Sequence, residues 1–270
     1  MKRISLITAA LLSVSMFCGC ASVNINIKKP ADTQPADLSD FPQLTSEDYD
    51  LSRYDDDKNM YFECHSNTWT LKPESADKYP KLAEALKKVD EHEKKYFTDN
   101  MDESDADARQ FYADNKQYDN DAHFSCYSDI GIACADPKHV SLVSTLFTFL
   151  GGAHPSTVSI CYNIDVASGQ FIPLSAVISD KKGLDEILKD ALKKQYPDRE
   201  FFELDESLRP LKMALPAFET DDPTYNFSFN PNGLTFYFDP AEISAYAEGG
   251  EQIDLTYDDL APVLDKNFTF

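Results

Sequence analysis

The sequence predicts an α+β fold, an antiparallel β-sheet packed by helices, and three observations carry that reading. Runs of β-branched and aromatic residues alternate with turn residues from His123 to Val166, as in a meander. Two stretches, beginning near Leu82 and near Leu184, repeat apolar residues at helical spacing. Two aromatic runs near the C-terminus flank Asn230-Pro231-Asn232-Gly233, a hairpin signal.

The chain opens on a segment outside that fold. Lys2 and Arg3 form a positive start, and Ile4 to Phe17 is an apolar run broken only by Ser and Thr, the layout of a secretory signal over residues 1–19. The run falls short of the ~20 apolar residues that span a bilayer. The next residues, Phe17-Cys18-Gly19-Cys20-Ala21-Ser22, resemble the lipobox of bacterial lipoproteins. That resemblance implies lipidation of Cys20 and anchoring to the cell membrane on its extracytoplasmic side. Phe17 departs from the usual aliphatic residue, and Cys18 is left open as the modified residue. Two acyl chains are what stable anchoring requires. Residues 20–50 read as the lipidated Cys and a flexible tether, because Pro, Asp, Thr and Ser there bury too little to offset chain entropy.

The ectodomain divides into an N-terminal part, residues 51–150, and a C-terminal part, 151–270. Met60 to Cys64 predicts a first short strand. Pro80 opens a helix with Leu82, Leu86, Val89 and Tyr96 on one face. The acidic run Asp99 to Asp107 is expected to interrupt that helix or to cap a second one through Tyr112. Three strands follow, Phe124 to Ala135, Val140 to Leu150 and Thr157 to Val166, with Asp136-Pro137-Lys138-His139 and Gly151-Gly152-Ala153-His154-Pro155 between them. Gly151 or Gly152 is predicted to take a positive φ in the second turn. A helix runs from Asp180 to just before Pro197. Tyr225 to Phe229 and Leu234 to Phe238 form the hairpin. Asp239-Pro240-Ala241-Glu242 reads as a helix start, with Asp as N-cap, Pro at the first position and Glu reaching back. A strand, Gln252 to Leu255, and a short helix, Asp258 to Leu264, end the chain.

Charge narrows the function. The chain has 25 basic and 47 acidic residues; loss of Lys2 and Arg3 leaves a mature net charge of −24. Such a surface opposes nucleic acid and anionic membranes, whose phosphates are bound by Lys and Arg, and it favours cationic partners.

Motifs for chemistry are sparse, and no metal or cofactor is expected. An EF-hand requires Gly at its sixth position and Glu at its twelfth; counted from Asp99 these are Ser104 and Gln110, and Asp55-Asp56-Asp57 fails likewise. His92-Glu93-Lys94-Lys95-Tyr96 begins like a zinc-peptidase helix, but Tyr96 stands where the second His must be. His154 is read as fixing its turn through ring hydrogen bonds, and Trp69 as a core residue rather than a glycan platform. Cys64, Cys126, Cys134 and Cys161 are an even number in an exported domain and predict disulfides. One strand over Phe124 to Ala135 would hold Cys126 and Cys134 ~26 Å apart, beyond bridging reach. That leaves Cys64 with Cys126 and Cys134 with Cys161, or Cys64 with Cys134 and Cys126 with Cys161.

The order of motifs adds a resemblance. Gly151-Gly152-Ala153-His154-Pro155, Asn163-Ile164-Asp165, Phe171-Ile172-Pro173-Leu174, Asn232-Gly233-Leu234-Thr235-Phe236-Tyr237-Phe238 and Ile243-Ser244-Ala245-Tyr246-Ala247 are similar, in this sequence, to an uncharacterised extracytoplasmic domain. It is the domain at the C-terminal end of RsiV-type lysozyme-sensing anti-sigma factors, and it accompanies the catalytic domain in PdaC-type peptidoglycan deacetylases. The similarity spans roughly His123 to Leu264, with the helix after Pro80 as a companion segment. It implies an antiparallel sheet packed by helices and a role in recognising envelope material, either lysozyme, another cationic protein, or peptidoglycan. No sigma-binding segment or deacetylase domain is read here, so those activities are not implied. The reading is a non-catalytic binding or sensing module, and the alternative is a hydrolase of envelope polymers.

Overall fold

The computed structural model describes residues 40–117, 122–201 and 225–269. The signal segment, Cys20 and the first part of the tether lie outside them. The described elements belong to one unit, Leu38–Phe270.

Its larger sheet runs in the order β1 (Leu44–Asp50), β3 (Met60–Leu71), β4 (Phe124–Ala135), β5 (His139–Phe149), β6 (Ser156–Asp165), with β2 (Arg53–Tyr54) also paired to β3. Strands β4, β5 and β6 are the expected antiparallel meander. β3 joins it in parallel, with Phe62 opposite Phe124 and Cys64 opposite Cys126. A parallel join needs a long crossover, and the helix α2 (Pro80–Asn115), preceded by α1 (Pro73–Lys78), supplies it.

Three expectations need correction in this half. Leu44–Asp50 is not tether: it pairs along its whole length with β3, from Leu44 opposite Leu71 to Asp50 opposite His65. Its alternation is polar on both faces, which hides an edge strand. The first strand, expected over Met60 to Cys64, extends to Leu71. The acidic run Asp99 to Asp107 does not break the helix. Lys95 pairs with Asp99 and Arg109 with Asp105 at i,i+4 spacing, while Phe97, Met101, Ala108 and Tyr112 continue the buried stripe.

α2 lies on one face of the sheet. Leu82, Leu86 and Val89 meet Ile130, Leu142 and Ile164, and Phe97 and Met101 meet Phe62, Phe124 and Leu146. A second core is built around the smaller sheet β7 (Asn226–Asn230), β8 (Gly233–Phe238), β9 (Glu251–Thr256), covered by α4 (Lys181–Gln195) and α5 (Tyr257–Leu260), with the short α3 (Leu174–Val177) ahead of α4. α4 starts as expected, with the Asp180 carboxylate accepting the Gly183 N–H. The helix expected from Asp239 does not form. Glu242 does reach back to the Asp239 N–H at 2.8 Å, but the Asp239 carboxylate accepts the Ser159 N–H instead of capping, and Ala241 takes φ +69°. A single 3-10 turn at Tyr246–Glu248 is what remains.

The two sheets meet through polar side chains that satisfy the outer edge of β6. Asn226 accepts the Cys161 N–H at 3.0 Å and donates to the Ser159 carbonyl at 2.6 Å, standing in for a neighbouring strand. Asn163 donates to the Phe227 carbonyl at 2.7 Å.

Candidate functional site

The most unusual chemistry lies under α2. Glu93 continues the stripe Leu82, Leu86, Val89, and so its carboxyl enters the helix–sheet interface, where it is 2% exposed. Tyr162 of β6 donates to Oε1 and Ser144 of β5 donates to Oε2 at 3.2 Å. Ser128 of β4 also bonds the carboxyl and is linked to Ser66 of β3 at 2.5 Å. Burial pushes the Glu93 pKa above the usual carboxylate range, against the pull of the three hydroxyls. The same burial, with Glu93 beside it, raises Tyr162 well above an ordinary phenol. His92 Nδ1 lies 3.1 Å from the Tyr162 hydroxyl.

A carboxyl with a raised pKa is what general acid catalysis uses. Here Tyr162 and Ser144 are as buried as Glu93, so no polymer reaches the carboxyl unless α2 lifts off the sheet. The cluster fixes the helix on the sheet. The sequence signal for it is the place of Glu93 in the apolar stripe, one turn beyond Val89.

The residues singled out from sequence fare differently. Gly151 takes φ +74°, and a Cβ there would meet Phe111 and Phe124 at 2.9 Å, which is why glycine stands at this turn. Gly152 has no such constraint. His154 does not hold the turn by a ring hydrogen bond: its ring stacks on Tyr246, centroids 4.8 Å apart, and the Tyr246 hydroxyl donates to the Pro155 carbonyl at 2.6 Å. Trp69 is half-buried and packs on the core below α2, donating its ring N–H to the Ile130 carbonyl at 2.5 Å.

The expected disulfides are absent: Cys64, Cys126, Cys134 and Cys161 are free thiols. Topology explains most of this. β5 lies between β4 and β6, so either β4 cysteine is two strand spacings, ~9.6 Å, from Cys161, beyond the ~7 Å a bridge tolerates. Cys134 lies far along β4 from the point where Cys64 pairs. Only Cys64 and Cys126 are neighbours, in register across β3 and β4. Burial pushes both thiols up to about 12, as it does Cys134, which suppresses the thiolate that disulfide exchange requires.

Among the described residues, no group of three or more His, Cys, Asp or Glu is placed to hold a metal ion, and no helix is long and apolar enough to cross a membrane. Carboxylates crowd the end of α2 instead. Asp102 and Asp105 hold Arg53, Asp105 also accepts from Arg109 and Tyr61, and Glu103, Asp107 and Asp114 stand exposed beside them.

Comparison with known proteins places this geometry. Residues 66–157 match the family model described as deacetylase PdaC, and residues 177–258 match that described as a protein of unknown function, DUF3298. No curated protein matches. A DUF3298 family member from Bacteroides fragilis superposes with a TM-score of 0.59 at 16% identity, covering 84% of this chain and 94% of its own. A DUF3298 family protein from Pseudomonas aeruginosa gives 0.50 at 12% identity, covering 83% and 95%. The chain thus has the fold of the DUF3298 structures, and two of its segments match, in order, the PdaC and DUF3298 family models.

Proposed function

We propose that this chain is an extracytoplasmic, envelope-associated binding or sensing module, exported and anchored to the cell membrane by lipidated Cys20. Its ligand is a cationic, lysozyme-like protein in the first place and peptidoglycan in the second; nucleic acid is not a partner. The observation that carries the reading is the excess of acidic over basic residues in the chain, 47 against 25. An acidic field raises the encounter rate of a basic partner. The two family segments support the envelope setting, and the enclosure of Glu93 supports a non-catalytic role. The match to a deacetylase model favours one second reading, an enzyme acting on envelope polymers.

A pull-down of the mature chain with lysozyme and with purified peptidoglycan, run beside a turnover assay on muropeptides, separates these readings. Retention of lysozyme or peptidoglycan without turnover is the expected result, and turnover without retention contradicts it. Mass spectrometry of the mature N-terminus is expected to find a diacylglyceryl group on Cys20; a free Ala21 or Ser22 contradicts the anchor.

A further inference from the structure

The face of the larger sheet opposite α2 combines three features. First, a row of rings crosses three strands. His65 of β3 stacks on Tyr127 of β4, centroids 4.9 Å apart and planes 4° apart, and Tyr127 stacks on Phe147 of β5 at 4.6 Å and 15°. Strand spacing of ~4.8 Å is what permits such a stack, and ladder pairing fixes it, with Tyr127 in register with both His65 and Phe147.

Second, the row is open. Among the described residues, the smaller sheet meets this face at its far end, where Asn163 meets Phe227 and Ser141 meets Phe229. The His65 side chain is 50% exposed, and Asp129 and Thr145, one step further along β4 and β5, are exposed. With Tyr127 between two rings, the free ring faces are at the ends of the row, and that of His65 turns toward β1. Asp50 is the residue opposite it there.

Third, the strands of this face carry acidic residues and no basic ones. β1, β3, β4, β5 and β6 contain no Lys or Arg, whereas Asp50, Glu63 and Asp129 belong to this face. Asp50 is held ready as an acceptor: the Ser52 hydroxyl and N–H, the latter at 2.7 Å, lower its pKa. Glu63 lies 3.7 Å from His65 and 3.1 Å from His123.

Building on the binding function argued above, we propose that this face is the docking surface for the cationic protein partner, and that an arginine of the partner enters the slot between His65 and Asp50. A guanidinium is flat, so it extends the ring stack by one layer, and its in-plane N–H groups pair with the fixed carboxylate. An ammonium offers charge without the plane. Rigid rings also lose little entropy on binding.

The test is titration of the full chain with fluorescent penta-arginine and penta-lysine peptides, with hen lysozyme, and with a glucosamine oligomer. Two sheet-face variants, Asp50→Asn and the double variant His65→Ala/Asp129→Asn, are compared with Glu103→Gln/Asp107→Asn on α2, which removes charge elsewhere. The expected result is tighter binding of arginine than lysine peptide, at least tenfold weakening in both sheet-face variants, and a change within twofold in the α2 variant. Should Asp50→Asn lower the melting temperature, the double variant at exposed positions carries the comparison. Equal weakening by the α2 variant, unchanged binding in the sheet-face variants, or tighter binding of the glucosamine oligomer overturns the site while leaving the binding function standing. Failure of the unsubstituted chain to bind lysozyme and both peptides overturns the site and the cationic-protein reading together, and leaves peptidoglycan as the ligand.

Discussion

Tyr162 donates its hydroxyl hydrogen to Glu93 across the layer boundary of the domain, from strand β6 to helix α2. Burial raises the Glu93 pKa in the folded state above the ordinary value of 4.5. A raised value contributes stability below pH 4.5, and that contribution is lost as pH rises through the folded value. Glu93→Gln keeps the shape and does not titrate. Denaturant unfolding is expected to show the variant gaining on the parent protein as pH rises from 4 to 8; a constant difference across that range refutes the buried, proton-holding carboxyl.

Asp105 shifts the other way. Hydrogen bonds from Arg109, Arg53 and Tyr61 lower it to about 2, from an ordinary value of 3.8. The stability it contributes is present above pH 3.8 and lost as pH falls toward 2. At a partly exposed site the network contributes about 1 kcal/mol or less. Asp105→Asn is expected to lower stability by that order at pH 7 and by clearly less at pH 2, measured by urea unfolding.

Gly151 and Gly152 are adjacent and unequal. Gly151→Ala places a Cβ against Phe111 and Phe124 at a positive φ, so a loss of more than ~1 kcal/mol is expected. Gly152→Ala meets nothing closer than the His154 carbonyl at 3.8 Å and is expected to cost much less. Equal melting temperatures for the two variants contradict the turn geometry.

Thiol reactivity follows burial. Cys64, Cys126 and Cys134 are buried and held at about 12, whereas Cys161 is partly exposed. Brief maleimide labelling of the native protein, followed by peptide mapping, is expected to find Cys161 modified first. Early labelling of Cys64 or Cys126 contradicts the packing of β3 on β4.

Elements whose residues alternate or repeat in a single period were legible in the sequence. The meander β4 to β6, helix α4 with its Asp180 cap and the β7–β8 hairpin are of this kind. What escaped depends on partners distant in the chain. β1 is polar on both faces and becomes a strand only because β3 offers an edge. The turn at Asp239 carries a helix-start pattern, but Ser159 claims its cap. The sheet encloses Glu93 through strands distant in the chain, and the His65–Tyr127–Phe147 row exists only once three strands are in register.

Surface-plasmon measurement of the mature chain against lysozyme at low salt and above 0.15 M, with cytochrome c as an equally basic control, tests the binding account most directly. Above ~0.15 M the screening length falls below ~8 Å, so general charge attraction fades, while a specific interface loses mainly its association rate. The account predicts that lysozyme keeps a slow dissociation rate in raised salt and cytochrome c does not. Equal binding of the two proteins, or binding of neither, would contradict it.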